Sequence, residues 1–326
     1  MDNDRLMYYG KKDVFAYRTY MKPLEGVKEI PESDFSGRDN VVYGLNASVS
    51  VGGKEFLSSF TEGDNSKVVA TDSMKNFILR HLATYEGATT EGFLAYAAKA
   101  FLDRYPHFER VEMSGEEIPF EQTSARSLSD GRSKSDVVFK HSRNERVSAS
   151  TEFIRTADGG TVINKQRSSL TDLQLIKVKG NSFTGYIRDE YTTLPEDSNR
   201  PLFIYLNIHW GYENVADAYG WKPPLYVAAE QIRDIASSVF HELQTPSIQN
   251  LIYRIGCRIL ERFPQLKDVT FESQNRTWEA VVEEIEGSEG KVYTEPRPPY
   301  GFQVFHVTKA DLGSEETTVS EARMHT

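Results

Sequence analysis

Seven histidines, at positions 81, 107, 141, 209, 241, 306 and 325, show neither His-x-His nor His-Glu-x-x-His spacing. A dedicated zinc centre is therefore not expected, and no metal is assigned. There is no Walker lysine loop and no dinucleotide Gly-x-Gly-x-x-Gly, and Gly180-Asn181-Ser182-Phe183-Thr184 departs from a nucleophile elbow at its last residue. The phosphate-loop and serine-hydrolase classes recede accordingly. What remains are polar and aromatic strings. Val69-Ala70-Thr71-Asp72-Ser73 puts Thr71 and Asp72 at a helix start, where free N–H groups and the positive dipole end suit an anion, and where Thr71 would also serve as a plain N-cap. Asn181 through Leu194 ends in a run too polar for a buried strand, which a salt-bridged turn would also explain, and Arg200 follows on a Pro-flanked loop. Gln249 falls in the first turn of a helix behind Pro246 and Ser247, a place where an amide is often simply solvated. Asn275 and Thr277 lie on a strand and form a glycosylation sequon, without meaning in a cytosolic chain. Pro296 through Phe302 reads as a polyproline ligand or as a rigid loop.

The elements that position these strings come twice. Phe101-Leu102-Asp103-Arg104-Tyr105-Pro106 aligns with Ile259-Leu260-Glu261-Arg262-Phe263-Pro264, an offset of 158 residues. The same offset brings Val69-Ala70 onto Val227-Ala228 and Phe93-Leu94 onto Leu251-Ile252. In the first copy, alternating runs at 13–21 and 40–56 predict a hairpin of long strands, and Val51-Gly52-Gly53-Lys54 marks a turn or bulge. Helical spacing follows over 73–85 and 90–105, with Thr71 and Thr89 or Thr90 as capping candidates and Gly87 between the two helices. Strand character returns over 108–120 and 136–155. The second copy predicts strands at 161–180 and 202–212, helices near 228–243 and 247–263, and strands at 269–278 and 301–307. Each copy is thus an antiparallel four-stranded sheet with two helices, in the order ββααββ, and the fold class is α+β. Four such strands leave open edges that pairing with further copies would close. The units are expected at 8–157 and 158–312, with 313–326 a mobile acidic tail.

Composition narrows the class. Of 326 residues, 39% are apolar and 26% charged, which describes a globular chain. The net charge of −10 disfavours non-specific binding to nucleic acid or anionic membrane. No run approaches the length of a membrane span, Met1 through Arg5 lacks the basic and apolar parts of a signal peptide, and the single cysteine, Cys257, cannot form an intrachain disulfide. A cytoplasmic location is the expectation. Met324-His325-Thr326 is not a peroxisomal Ser-Lys-Leu signal, which favours the bacterial cytosol.

Tyr9-Gly10-Lys11, Asp64-Asn65-Ser66 with Val69 through Ser73, Phe183 through Leu194, Arg200, Ile248-Gln249 and Asn275, in this order, closely resemble bacterial urate oxidase (uricase), the cofactor-independent family of the tunnelling-fold type. The resemblance runs from Tyr8 to about Leu312. It implies two tandem tunnelling-fold units per subunit, assembled into a homotetrameric barrel with a central tunnel and with sites shared between subunits. It implies urate and dioxygen as reactants, 5-hydroxyisourate and hydrogen peroxide as products, and no cofactor. Carried over residue by residue, Arg200 would pair with the anionic edge of urate and Gln249 with the other side of the same purine face, as guanidinium and amide suit a planar heterocycle. Phe183 would stack on the ring, Ile248 would offer its backbone N–H, and Thr71 and Asp72 would bind the five-membered ring. Asn275 would hold dioxygen or water over the opposite face. Lys11 and Thr71 would move protons, with Lys11 neutral or sharing its proton with Thr71. The Tyr-Gly-Lys register selects Lys11 over Lys12.

One position departs from the pattern. Many relatives carry histidine two residues after the asparagine, where this chain has Asn275-Arg276-Thr277. A hydroxyl passes a proton but does not store one at neutral pH, so Thr277 is kept as a catalytic candidate with its relay role in question. Two other readings stand beside this one: a pterin-handling tunnelling-fold enzyme, which would usually need a histidine-bound zinc, and a non-catalytic purine-binding or scaffold protein.

Overall fold

The computed structural model describes residues 5–127, 131–141, 145–197, 201–276, 280–282, 284–288, 290–294 and 297–313. The chain is α+β, with long antiparallel strands and five α-helices among the described residues. It divides into two compact units: residues 1–29, 34–169 and 211–228 form one, and 30–33, 170–210 and 229–326 the other.

In the first unit β1 (Tyr8–Thr19) pairs antiparallel with β2 (Val42–Gly52), the expected hairpin. Helices α1 (Thr71–Thr84) and α2 (Thr90–Arg104) follow, then β3 (Arg110–Ile118), β4 (Phe120–Ser127), β5 (Gly131–His141), β6 (Arg146–Arg155) and the first half of β7 (Thr161–Lys177). The strand order is β1-β2-β3-β6-β7. Residues 136–155, read from the sequence as one strand, are two. β5 turns back on β4 in a separate ribbon, with Phe120 opposite His141 and Gln122 opposite Phe139. Sequence periodicity misses this because Val137 and Val138, which look like core, are exposed on that ribbon. Leu45, Ala47, Val49 and Val51 of β2 alternate onto the helix-bearing face and are buried there, as are Met74, Ile78, Phe93 and Phe101 of the two helices. Each large aliphatic side chain so buried contributes about 1.5–3 kcal/mol. α2 starts at Thr89, whose hydroxyl accepts from the Gly92 N–H as an N-cap. Under its first turn lies a buried carboxyl, Glu91, which accepts from the Ser168 and Tyr226 hydroxyls. Burial pushes its pKa up to about 7, against the Ser168 hydrogen bond that favours the charged form.

The second unit has the second half of β7, then β8 (Leu202–Tyr212), α3 (Ala229–Glu242), α4 (Ile248–Arg262), β9 (Leu266–Arg276) and β10 (Tyr300–Thr308). Its strand order is β7-β8-β9-β10. α4 buries Ile248, Leu251, Ile252, Ile255, Ile259 and Leu260, a spacing of three and four that makes one apolar face. Gly256 lets that face approach β10, since a Cβ there would lie 2.5 Å from Val307 Cγ2. Residues 30–33 join this unit through Glu32, which accepts from Arg258 at 2.9 Å and from Arg262 at 2.8 Å, and through the Ser33 hydroxyl on Asp234. A shift of 158 residues carries α1 onto α3 and α2 onto α4, end for end.

Candidate active site

In the first unit the Tyr9-Gly10-Lys11 string opens β1. A Cβ on Gly10 would sit 1.9 Å from the Val49 carbonyl oxygen, so only glycine lets the two strands approach here. Lys11 faces Val49 and Val14 faces Ala47, so Lys12 and Asp13 together oppose Ser48 alone. This is a β-bulge, with Asp13 at φ +56° and its carboxylate accepting from the Asn46 amide at 3.0 Å. Its effect is chemical. Val49 and Val51 are buried on the helix-bearing face, and their partners Lys11 and Tyr9 share that face; Val14 and Ala16 continue it beyond the bulge. Lys12 is exposed.

α1 packs on β1, and the Lys11 charge acts on Asp72 in its first turn. Its N-cap is Ala70, with no side-chain cap, so Thr71 is the first helical residue and not the capping hydroxyl. The first-turn N–H groups thus face outward without a side-chain acceptor, the condition for an anion site. Asp72 accepts from the Lys75 ammonium at 2.5 Å and the Asn76 amide at 3.1 Å. Its pKa lies below the usual carboxylate range, chiefly through Lys75, with the Lys11 charge adding in the same direction. The loop before the helix is tied down from both ends. The Tyr9 hydroxyl accepts from the Val69 N–H at 2.8 Å, and Asp64 accepts from both the N–H and the hydroxyl of Ser66. Tyr9 in turn packs edge-on against buried Phe56, 5.0 Å between centroids. Lys11 thus lies within electrostatic reach of Asp72, at the start of the helix that Thr71 opens.

In the second unit the loop after β7 is pinned to the loop before α4. Ser182 N–H donates to the Thr245 carbonyl, and Thr245 N–H to the Gly180 carbonyl. Phe183 forms a two-bond bridge with Asp197, which sets its backbone, and it is half-buried. Ser247 is the N-cap of α4, its hydroxyl accepting from the Asn250 N–H at 3.1 Å. Ile248 and Gln249 are the first two helical residues. Ile248 is buried, the Gln249 side chain is exposed, and among the described residues the Ile248 N–H has no acceptor. Phe183 and the Ile248-Gln249 pair are thus held on neighbouring segments. Asn275 lies on β9 opposite Gly301, on the same face as buried Val269, Phe271 and Ser273, and among the described residues its amide has no partner. Arg276 points to the other face, over the rings of Tyr205 and Tyr300. Arg200 and Thr277 lie outside the described residues, as do Pro296 and the tail beyond 313.

Among the described residues the turn at 186–194 is held by hydrogen bonds and shows no ion pair. Asp189 accepts from the Tyr191 N–H and the Thr192 hydroxyl, while Arg188 donates to the Tyr186 hydroxyl and the Leu194 carbonyl. Lys177 has a part that sequence reasoning missed. Its ammonium donates to the carbonyls of Phe240 and Leu243, closing the end of α3 at the start of the Thr245 loop. Burial lowers its pKa. No local signal links position 177 to carbonyls more than sixty residues away. Among the described residues no group of three His, Cys, Asp or Glu is placed to hold a metal ion.

The uricase family model matches residues 9–149 and 166–304. The chain is 64% identical over 312 residues to the uric acid degradation bifunctional protein of Bacillus sp. strain TB-90, covering 96% of this chain and 62% of that protein. It is 52% identical over 310 residues to a uricase of Haloferax volcanii, covering 95% of this chain and all of the relative. A crystal structure of Bacillus sp. TB-90 urate oxidase superposes with a TM-score of 0.91 at 65% identity, over 93% of this chain and 100% of that one. The chain spans about three fifths of the length of the Bacillus bifunctional relative.

Proposed function

The chain belongs to the uricase family, and from that premise we propose that it oxidises urate with dioxygen and water to 5-hydroxyisourate and hydrogen peroxide, without a cofactor. The observation that carries this reading is the bulge at Lys12-Asp13, which puts Lys11 on the helix-bearing face beside Asp72 and the open start of α1. A base at Lys11, a hydroxyl at Thr71 and open helix N–H groups are the combination that suits taking a proton from an electron-rich, anionic heterocycle. Urate that has lost a second proton gives two electrons to dioxygen; water adds at C5, and the reduced oxygen leaves as peroxide. Lys11 takes the proton and Thr71 relays it. Phe183 stacks on the ring, the Ile248 N–H and the Gln249 amide read its polar edge, Arg200 pairs with its negative charge, and Asn275 holds dioxygen or water. Thr277 takes the place of a relay histidine and passes protons through its hydroxyl.

The two units are tandem tunnelling-fold copies, a reading supported by the end-for-end match of their helices at the 158-residue shift. Four chains close the sheets into a barrel in which Thr71 and Asp72 of one subunit meet the Arg200 group of another, in the cytoplasm of a bacterium. The assay is direct: purified protein is mixed with urate in air, and loss of urate absorbance is followed beside peroxide formation. Equal molar rates of the two are expected. Urate binding without turnover would favour the purine-binding scaffold.

A further inference from the structure

The ring of Phe183 is not alone. Tyr186 lies parallel to it, 4.8 Å between centroids at an interplanar angle of 13°. The Tyr186 hydroxyl donates to the Leu194 carbonyl and accepts from Arg188, whose guanidinium also sits 5.8 Å from the centre of the Tyr186 ring. Tyr186 is half-buried, whereas its neighbours Gly185, Ile187 and Arg188 are exposed, with Ile187 at 88%. A loop that exposes an isoleucine and covers a tyrosine is arranged around the tyrosine. The anchors also matter: a ring tied through its hydroxyl to a carbonyl eight residues on cannot follow Phe183 if that ring swings, so it acts as a stop. Urate stacked on Phe183 as proposed would take the face opposite Tyr186.

We infer that Tyr186 is a positioning residue, which backs Phe183 and holds its plane parallel to the bound purine. The inference rests on the proposed stacking of Phe183 on urate and goes beyond it, since Tyr186 touches no substrate. An aromatic pair contributes about 0.5–1.5 kcal/mol beyond burial, which corresponds to about threefold to tenfold in affinity. A loss of that size should fall on binding and not on the chemical step.

The test compares wild type, Tyr186→Phe, Tyr186→Leu and Phe183→Leu, using kcat and KM for urate and the inhibition constant of xanthine, a purine without the oxygen at C8. Tyr186→Leu is expected to raise KM and the xanthine constant about threefold to tenfold, with kcat within twofold and melting temperature unchanged. Tyr186→Phe keeps the stack, loses the anchor, and should recover most of the affinity. If Phe183→Leu weakens xanthine and Tyr186→Leu leaves it unchanged or tightens it, the positioning role is overturned while the urate reading stands. If wild type neither turns over urate nor binds xanthine, the urate reading fails and takes this one with it. Tyr186→Met, similar in volume without a ring, replaces the leucine variant should that one not fold.

Discussion

Lys11 and Lys12 are chemically identical neighbours, and one extra residue in a strand decides between them. Without the bulge at Asp13, the alternation that buries Val14 and Ala16 would turn Lys11 away from α1 and turn Lys12 towards it. Lys11→Met is therefore expected to lower kcat about 10²- to 10⁴-fold, the range for loss of a general base, while a xanthine inhibition constant changes little. Lys12→Met should keep near-normal kcat. The reverse order in steady-state kinetics would show that the bulge does not select the base. The Tyr9-Gly10-Lys11 string was legible as a motif, but the reason for its glycine, the Val49 carbonyl 1.9 Å from a would-be Cβ, belongs to the strand pair.

Among the elements, the short turn at 30–33 is tied to α4 by ion pairs. The Glu32 side chain is 5% exposed and takes both Arg258 and Arg262 of α4. The Arg262 bond is the largest of the causes that hold its pKa down at about 2, against an ordinary 4.5. A folded-state value below the unfolded one stabilises the fold above the unfolded pKa, and that contribution is lost as pH falls from about 4.5 to about 2. Glu32→Gln should thus cost about 2–3 kcal/mol at pH 7, read as a shifted urea midpoint, and progressively less on acidification through that window. A penalty independent of pH would mean that packing, not the carboxylate, holds the turn. The helices themselves were legible from apolar spacing, with α2 and α4 within two residues of expectation. The ribbon at 120–141 was not, because its strands pair with each other and Val137 and Val138, apolar in sequence, are exposed on it.

For the whole molecule, the proposed site residues fall in both units: Lys11, Thr71 and Asp72 in one, Phe183, Ile248, Gln249 and Asn275 in the other. If subunits share sites, Thr71→Ala and Arg200→Ala proteins, each nearly inactive, should regain activity when unfolded and reassembled together. Random mixing of equal amounts leaves about one quarter of sites intact, since each needs the right chain on both sides. Recovery near that fraction supports sharing. Mixed assemblies shown by native mass measurement to have formed, yet giving only the summed residual activities, would place the whole site within one chain.

The α+β class, the 158-residue repeat and the family are readable from the order of the residues alone, because apolar periodicity, caps and ordered motifs are local patterns that survive without coordinates. That order also named the lysine and the aromatic on which the proposal rests. Other features needed the fold. Thr71 proved to follow the cap and not to be it: Ala70 takes that place, next to Val69, whose N–H is held by the Tyr9 hydroxyl. Lys177 carried no sequence signal, and the Phe183 through Leu194 string contained Tyr186 without a role for it, for their partners are the Phe240 and Leu243 carbonyls and the Phe183 ring. Carbonyls are present at every residue and rings at many, so only the tertiary structure decides which of them a side chain meets.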